Sequence, residues 1–223
     1  MRYKNKFGTI QVMSKKKVFR NKTLGLSMSG GADSTLLCYI LAKTSYAKNL
    51  NITIQPYNGY DLWAPTDSNA VIDIVHYIQR SFPDVDLQWP ISTVFNTQGN
   101  QNNNKNTYIA SLLNRLEKYK VVDLVMNGVS MGPPLEVQQN FIKQEDGLSV
   151  KRLPGYHLWH EIERVDDYLA PFKFVNKKFI IECYKQFGIM SLLDITYSCT
   201  NLDSNKTTCG VCWWCQERAW ALN

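Results

Sequence analysis

The short run Ser29-Gly30-Gly31-Ala32-Asp33-Ser34 constrains this chain more than any other feature. It follows an apolar segment, Thr23–Met28, that predicts a buried strand, and it precedes a helix predicted over Ser34–Lys48. Two adjacent glycines allow a tight turn that brings backbone N–H groups close to an anion. The N–H groups and the dipole of the following helix favour a phosphate at the same place. The run therefore predicts a phosphate-binding loop, and an ordinary turn without a ligand is the alternative.

Side chains in this loop extend the chemistry beyond phosphate binding. Ser29 and Ser34 supply hydroxyl donors, and Asp33 can hold a divalent cation or orient a nucleophile. No lysine follows the glycines, so the loop is not a Walker A motif, which requires Gly-x4-Gly-Lys-Ser/Thr.

Apolar periodicity predicts that strands and helices alternate along most of the chain. After the first pair, the predicted strands are Asn51–Pro56, Asp86–Ile91 and Val121–Met126, and the predicted helices are Asp67–Arg80, Thr107–Lys118 and one that Asn176 caps and Gly188 ends. This alternation predicts the α/β class, with a parallel sheet covered by helices on both sides. Ligands of such sheets bind at the carboxyl ends of the strands. Four segments are therefore expected around one crevice, namely Ser29–Ser34, Tyr57–Asp61, Phe95–Asn106 and Asn127–Pro134. The Gln/Asn-rich run 96–106 is interpreted as a loop at its rim, with a lid as a hypothesis.

Charge divides the chain unevenly. Residues 1–22 contain eight Lys or Arg and no Asp or Glu, whereas the rest has 17 basic and 19 acidic residues. We expect a basic N-terminal extension (1–22), an α/β domain that contains the phosphate-binding loop (23–188) and a separate C-terminal segment (189–223), whose cysteines suggest metal binding. The basic extension is interpreted as a solvated segment, and binding of nucleic acid is the less favoured alternative. The alternation of apolar residues over Phe7–Met13 also allows an edge strand there. The sequence contains no apolar span and no export signal, so the chain is expected in the cytoplasm and away from membranes. Formation of a homodimer is possible.

Four cysteines near the C-terminus form the second chemical feature. Cys199, Cys209, Cys212 and Cys215 give the spacing C-x9-C-x2-C-x2-C. Four thiolates suit a tetrahedral structural Zn²⁺, and C-x2-C lets two sulfur atoms reach one ion. An iron–sulfur cluster is the rival interpretation, but the fourth cysteine lies upstream instead of three residues downstream. Cys38 and Cys183 fall on predicted helices and are expected to pack in the core.

The glycine-rich loop resembles the PP-loop of the ATP pyrophosphatase superfamily, whose pattern is Ser-Gly-Gly-x-Asp-Ser. Together with the cysteine cluster it resembles the 7-cyano-7-deazaguanine synthase family within that superfamily. That family ends in Thr-Trp-Ser-Cys, a Cys-Gly-x-Cys-x-x-Cys zinc motif and an arginine. The corresponding runs here are Thr196-Tyr197-Ser198-Cys199, Cys209-Gly210-Val211-Cys212-Trp213-Trp214-Cys215 and Arg218. Pro171-Phe172 and Lys177 also resemble the family's segment before its last long helix.

The resemblance implies an adenine nucleotide alpha hydrolase-like, Rossmann-like fold with a zinc-binding appendage. It implies a ligase that uses ATP, Mg²⁺ and ammonia to convert a small-molecule carboxylate, 7-carboxy-7-deazaguanine, to an amide and a nitrile for queuosine biosynthesis. The residue roles carried over from the family are of four kinds. Pyrophosphate is bound by Ser29, Gly30, Gly31 and Ser34, and catalysis falls to Asp33 (with Mg²⁺) and Ser34. The adenosine is bordered by Ser27 and the main chain of Tyr57 and Asn58, and the substrate is lined by Gly128, Val129 and Ser130.

Several segments depart from the family pattern. Tyr57-Asn58-Gly59-Tyr60-Asp61 stands where the family has Tyr-Gly-Gln-Arg-His, and Gly128-Val129-Ser130 continues into Met131-Gly132-Pro133-Pro134 instead of Asp-Tyr-Ser-Gly-Tyr-Pro. Three alternatives therefore stay open: a PP-loop ligase for another carboxylate, a tRNA-modifying PP-loop enzyme, and a nucleotide-binding module without activity.

Overall fold

The computed structural model of this chain has a mostly parallel central sheet, which confirms the predicted α/β class. The described residues are 1–13, 19–61, 67–95, 105–142, 168–199 and 208–223. Residues 96–104 of the predicted rim loop (96–106), and with them the lid hypothesis, lie outside these ranges, whereas 105 and 106 belong to a helix.

Strands and helices alternate over the described part of the chain. The strands are β1 (Arg2–Asn5), β2 (Gly8–Gln11), β3 (Thr23–Ser27), β4 (Thr53–Asp61), β5 (Asp86–Leu87), β6 (Ile91–Phe95), β7 (Leu124–Asn127) and β8 (Tyr168–Leu169). The helices are α1 (Ala32–Lys48), α2 (Asp67–Ser81), α3 (Lys105–Lys118), α4 (Leu135–Ile142), α5 (Lys177–Phe187), α6 (Met190–Asp194) and α7 (Trp213–Leu222). None of these helices combines the length and the apolar character that a bilayer span requires.

The order of the strands places the glycine-rich loop at a turning point of the sheet. The order is β5-β4-β3-β7-β8, with β6 also beside β4, and each of these pairs is parallel. The chain runs outward from β3 to β4, β5 and β6, and then returns to add β7 on the other side of β3. Connections therefore leave the carboxyl ends of β3 and β7 in opposite directions, which opens a crevice between them.

The apolar core lies mainly around α1. Leu36, Leu37, Ile40 and Leu41 are fully buried, as their helical spacing predicts. The other side of α1 is buried as well, including Cys38, because α2 and α5 pack against this helix. A helix covered on several sides loses the polar stripe by which a sequence pattern identifies an outward face.

The first 13 residues fold back onto this core. Strands β1 and β2 form an antiparallel hairpin, and Ile10, Val12 and Met13 are buried. The side chain of Asn5 donates from Nδ2 to the carbonyl oxygen of Phe179 on α5 at 3.1 Å. The strand that the alternation over Phe7–Met13 allows is thus present as β2, and it belongs to a hairpin packed on α5.

Three predicted strands have different bounds in the structure. Strand β4 extends to Asp61, five residues beyond the predicted end at Pro56. The predicted strand Asp86–Ile91 is two strands, β5 and β6, that both pair with β4. Strand β7 begins only at Leu124, and Val121, which was expected to be buried, is exposed.

Candidate functional site

The glycine-rich loop joins β3 to α1 as its sequence predicts. Gly30 has a φ of 79°, a left-handed conformation that favours glycine, and Gly31 is the N-cap of α1. No side chain within the described residues caps α1. The first-turn N–H groups of α1 therefore remain available to an anion, since a helix cannot satisfy them internally.

Two serine side chains hold the loop from within. The Ser34 hydroxyl accepts from the N–H of Ser29 at 3.2 Å and donates to the carbonyl of Gly31 at 3.2 Å. The Ser29 hydroxyl lies 3.3 Å from that of Ser34 and accepts from the N–H of Gly31 at 3.3 Å. The loop conformation is thus fixed before any ligand binds, and Ser29 remains exposed at its surface.

The segment after β7 packs directly on this loop. A Cβ built on Gly128 would lie 2.7 Å from the backbone nitrogen of Ser34 and 2.7 Å from the carbonyl carbon of Asp33. Two residues later, the Ser130 hydroxyl donates to Asp33 Oδ2 at 2.7 Å. Gly128 and Ser130, predicted as the substrate wall, are therefore brought against the helix start that carries Asp33.

The Asp33 carboxylate has a second partner, on α5. Lys177 Nζ donates to Asp33 Oδ1 at 2.6 Å, and the two side chains are only 8% and 13% exposed. Lys177 also lies 3.8 Å from Oε2 of Glu217, a residue of α7 that is fully buried. Sequence reasoning noted Lys177 only through the resemblance and missed Glu217. The sequence feature that could have indicated Lys177 is its position directly after the helix cap Asn176, at the start of a helix that is largely buried.

The predicted adenosine border lies at the carboxyl ends of β3 and β4. Ser27 pairs in register with Tyr57, and the N–H of Met28 donates to the Tyr57 carbonyl at 2.9 Å. The side chain of Asn58 is fully buried, and neither its amide nitrogen nor its oxygen has a hydrogen-bond partner in the described part of the chain. The sequence interpretation assigns only the main chain of Tyr57 and Asn58 to the adenosine border, and this assignment stays a prediction.

The four C-terminal cysteines converge although nine residues lie between the first two. The sulfur atoms of Cys199, Cys209, Cys212 and Cys215 all lie within 4.8 Å of one another. The N–H of Cys209 donates to Cys199 Sγ at 3.4 Å, and that of Cys212 donates to Cys209 Sγ at 3.3 Å. Backbone N–H groups that point at sulfur stabilise thiolates, so this donor set can hold a metal ion such as Zn²⁺.

The acidities of two thiols in this cluster differ. Burial raises the pKa of Cys209, but hydrogen bonds from the backbone of Cys212 and Val211 outweigh it and bring the pKa to about 7. Burial raises the pKa of Cys215 well above its usual range. A divalent cation reverses this second effect because it favours the thiolate form of its ligands.

The segment that leads into the cysteine cluster also touches the glycine-rich loop. The N–H of Tyr197 donates to the Gly30 carbonyl at 3.0 Å. Just before it, Thr196 accepts from Arg218 Nη1 through both its carbonyl oxygen (2.8 Å) and its hydroxyl (2.9 Å). Burial lowers the pKa of the Arg218 guanidinium, which nevertheless remains charged because its ordinary pKa is so high. The loop and the cysteine cluster are thus parts of one packed region.

The comparisons with known proteins assign no family to this region. A scan against protein-family models finds no match to the chain, and a search of the curated proteins finds no relative.

Proposed function

We propose that this chain is an ATP-dependent, carbon–nitrogen bond-forming ligase that adenylates a carboxylate. By resemblance, the acid is 7-carboxy-7-deazaguanine and ammonia is the second substrate. The observation that carries the proposal is the position of Asp33 at the uncapped start of α1, beside the loop after β7. The strand order with its reversal at β3 also supports the Rossmann-like, adenine nucleotide alpha hydrolase-like class, whose ligands bind at this crevice.

The chemistry explains why an anion-binding loop suits such a reaction. A carboxylate is a poor electrophile, so its oxygen first attacks the α-phosphorus of ATP, and pyrophosphate leaves. Ammonia then attacks the acyl carbon of the adenylate, AMP departs, and the nitrogen loses a proton to give the amide. In the conversion of the amide to the nitrile, the amide oxygen attacks the α-phosphorus of a second ATP and a second pyrophosphate leaves. Loss of both N–H protons then forms the nitrile, and the oxygen departs as part of AMP. Each step develops charge on phosphate oxygens, which backbone donors and Mg²⁺ stabilise.

The residues of the site divide this work between the two loops. Ser29, Gly30, Gly31 and Ser34 bind the departing pyrophosphate through backbone N–H and hydroxyl groups. Asp33, which contacts Lys177 and Ser130 in this structure, would hold Mg²⁺, and the ion would neutralise charge on the phosphates. Ser27 and the backbone of Tyr57 and Asn58 border the adenosine, and Gly128 and Ser130 face the acid.

The cysteine cluster has a structural part in this proposal. Four thiolates fill a tetrahedral coordination sphere and leave no open position for a substrate. Zn²⁺ at the cluster therefore ties the C-terminal segment to the α/β domain and takes no part in the chemistry.

Mass spectrometry of a reaction with ATP, Mg²⁺, ammonium and 7-carboxy-7-deazaguanine tests the function directly. Formation of the nitrile together with AMP supports the proposal in full. AMP formation must fall by about 100-fold or more in Asp33→Asn, because the carboxylate that would hold Mg²⁺ beside the reacting phosphates is lost. Asp73→Asn, which changes an exposed carboxylate on α2, is the control and must remain as active as the wild type.

A ligase for another carboxylate is the second candidate. After Ser130 the chain does not follow the family pattern, and Pro134 leads directly into α4. The N–H of Met131 donates to the Val175 carbonyl at 2.9 Å, so this divergent segment is bound to the residue that precedes the cap of α5. A screen of acids for AMP release distinguishes the candidates: the second one predicts release with an acid other than the deazaguanine.

A further inference from the structure

Lys177 lies between two carboxylates that come from distant parts of the chain. Asp33 belongs to the glycine-rich loop and contacts Lys177 at 2.6 Å, and Glu217 belongs to the last helix and lies 3.8 Å away. The Glu217 side chain is only 1% exposed and that of Lys177 only 8%. Separation of Lys177 from Glu217 is energetically costly, because it leaves a buried charge without a compensating partner.

Glu217 is placed by the helix that begins inside the cysteine cluster. Cys212 is the N-cap of α7, and Cys215 lies in its first turn, two residues before Glu217. The same helix packs on α5, where Lys178 Nζ stacks 5.0 Å above the ring of Trp220. A metal that gathers the four sulfur atoms therefore fixes the start of α7, and with it the position of the Glu217 carboxylate.

The neighbouring residue of α7 makes a second connection to the same loop. Arg218 binds the carbonyl of Leu193 at 2.8 Å and also that of Thr196, and the next residue, Tyr197, donates to Gly30. Adjacent side chains of α7 thus reach the loop from two directions, Glu217 through Lys177 and Arg218 through the segment 196–197. The start of α7 is therefore connected by contacts to both Gly30 and Asp33 of the loop.

We propose that Glu217 is a positioning residue that holds Lys177 against Asp33, and that it couples metal binding at the cysteine cluster to nucleotide binding at the loop. The proposal rests on the proposed function only in naming ATP as the ligand. If Asp33 coordinates Mg²⁺, Glu217 is the carboxylate that still pairs with Lys177 and keeps it in place. Coupling between two binding sites is reciprocal, so ATP must tighten zinc binding by the same factor by which zinc tightens ATP binding.

Glu217→Gln in the zinc-loaded protein is the first test, with Glu182→Gln on α5 as the matched control. Calorimetry gives the ATP dissociation constant, and hydrogen–deuterium exchange reports on the amides of residues 30–34. We expect Glu217→Gln to bind one zinc per chain, to exchange these amides about tenfold faster and to bind ATP about tenfold more weakly. A coupling of this size lies within the usual range for linked sites. Glu182→Gln must match the wild type in all three measurements.

Zinc titrations with and without ATP separate coupling from a merely structural role. We expect ATP to tighten zinc binding about tenfold in the wild type, and we expect this factor to fall to about one in Glu217→Gln. A Glu217→Gln protein with wild-type exchange, wild-type ATP affinity and an intact coupling factor overturns the proposal. If this variant does not fold, exchange is measured in the wild type with and without zinc. The proposal then requires the amides of residues 30–34 to exchange faster when zinc is withdrawn. A wild type that binds no ATP contradicts the proposed function alone, since the exchange measurement needs no nucleotide.

Discussion

Close backbone contact determines the geometry of the candidate site at the scale of single residues. Gly128 lets the segment after β7 approach the first turn of α1 to a distance that no side chain allows. The sequence shows a glycine there but not the helix that it must meet. The ion pairs of Lys177 depend on distant residues in the same way, because Asp33 lies 144 positions before it and Glu217 lies 40 positions after it. The sequence therefore indicated Lys177 only through the resemblance and did not indicate Glu217.

Gly128→Ala is expected to destabilise the protein and to displace Asp33. Its new methyl group meets backbone atoms at 2.7 Å, which cannot yield as a side chain does, and overpacking of this kind costs about 1–3 kcal/mol. Urea unfolding measures the loss, and ATP binding measures the displaced carboxylate.

Gly25→Ala is the control for this substitution. Its Cβ would meet only the side chain of Val122, at 3.2 Å, and the expected loss is therefore smaller. If the two variants lose equal amounts of unfolding free energy, the backbone contact at Gly128 does not require glycine more than the contact at Gly25 does.

The ends of α5 show how much local signals decide at the scale of elements. The side chain of Asn176 accepts from the N–H of Lys178 at 3.1 Å, and Gly188 ends the helix with a φ of 67°. Both were predicted, because a cap depends on contacts within a few residues. The start of β7 was predicted three residues too early, because the apolar residues at 121–122 suit a strand equally well and only the pairing with β3 sets its bounds.

Asn176→Ala is expected to lower the free energy of unfolding by about 1 kcal/mol, the usual cost of a lost N-cap. Because Asn176 starts the helix that carries Lys177, the variant must also weaken ATP binding. Asn176→Asp keeps a capping oxygen and must retain most of the stability in the same urea titration. A variant pair with equal stability contradicts the role assigned to the cap.

At the scale of the whole molecule, the two chain ends meet on α5. The N-terminal hairpin contacts α5 on one side, and α7 packs on it on the other. This helix in turn covers α1, so Cys38 on α1 and Cys183 on α5 are both buried in the core that the sequence predicts for them. Burial raises the pKa of each thiol to about 12 from an ordinary value of 9.0.

These thiols are expected to make the protein less stable as the pH rises from about 9 towards 12. In that window the unfolded chain loses the thiol protons while the folded chain keeps them, so the unfolded state binds fewer protons and the free energy of unfolding falls. Below pH 9 the two cysteines contribute no slope. Urea titrations at pH 8, 9 and 10 measure the effect.

The double variant Cys38→Ala/Cys183→Ala provides the comparison for this pH dependence. It is less stable at pH 8 because it leaves small cavities. Its stability must nevertheless fall less steeply above pH 9 than that of the wild type. A slope identical to that of the wild type would mean that other groups cause the alkaline loss.

The sequence by itself determined the features that depend on short stretches of chain. These are the strand–glycine turn–helix unit, the caps of α5, the α/β alternation and the spacing of the four cysteines, which a shared metal ion requires to converge. Tertiary structure decided which distant segments meet: the return of β7 beside β3, the hairpin on α5, and Lys177 between Asp33 and Glu217. Local signals arise from hydrogen bonds and sterics over a few residues, whereas these contacts depend on the packing of the entire core, which no short pattern encodes.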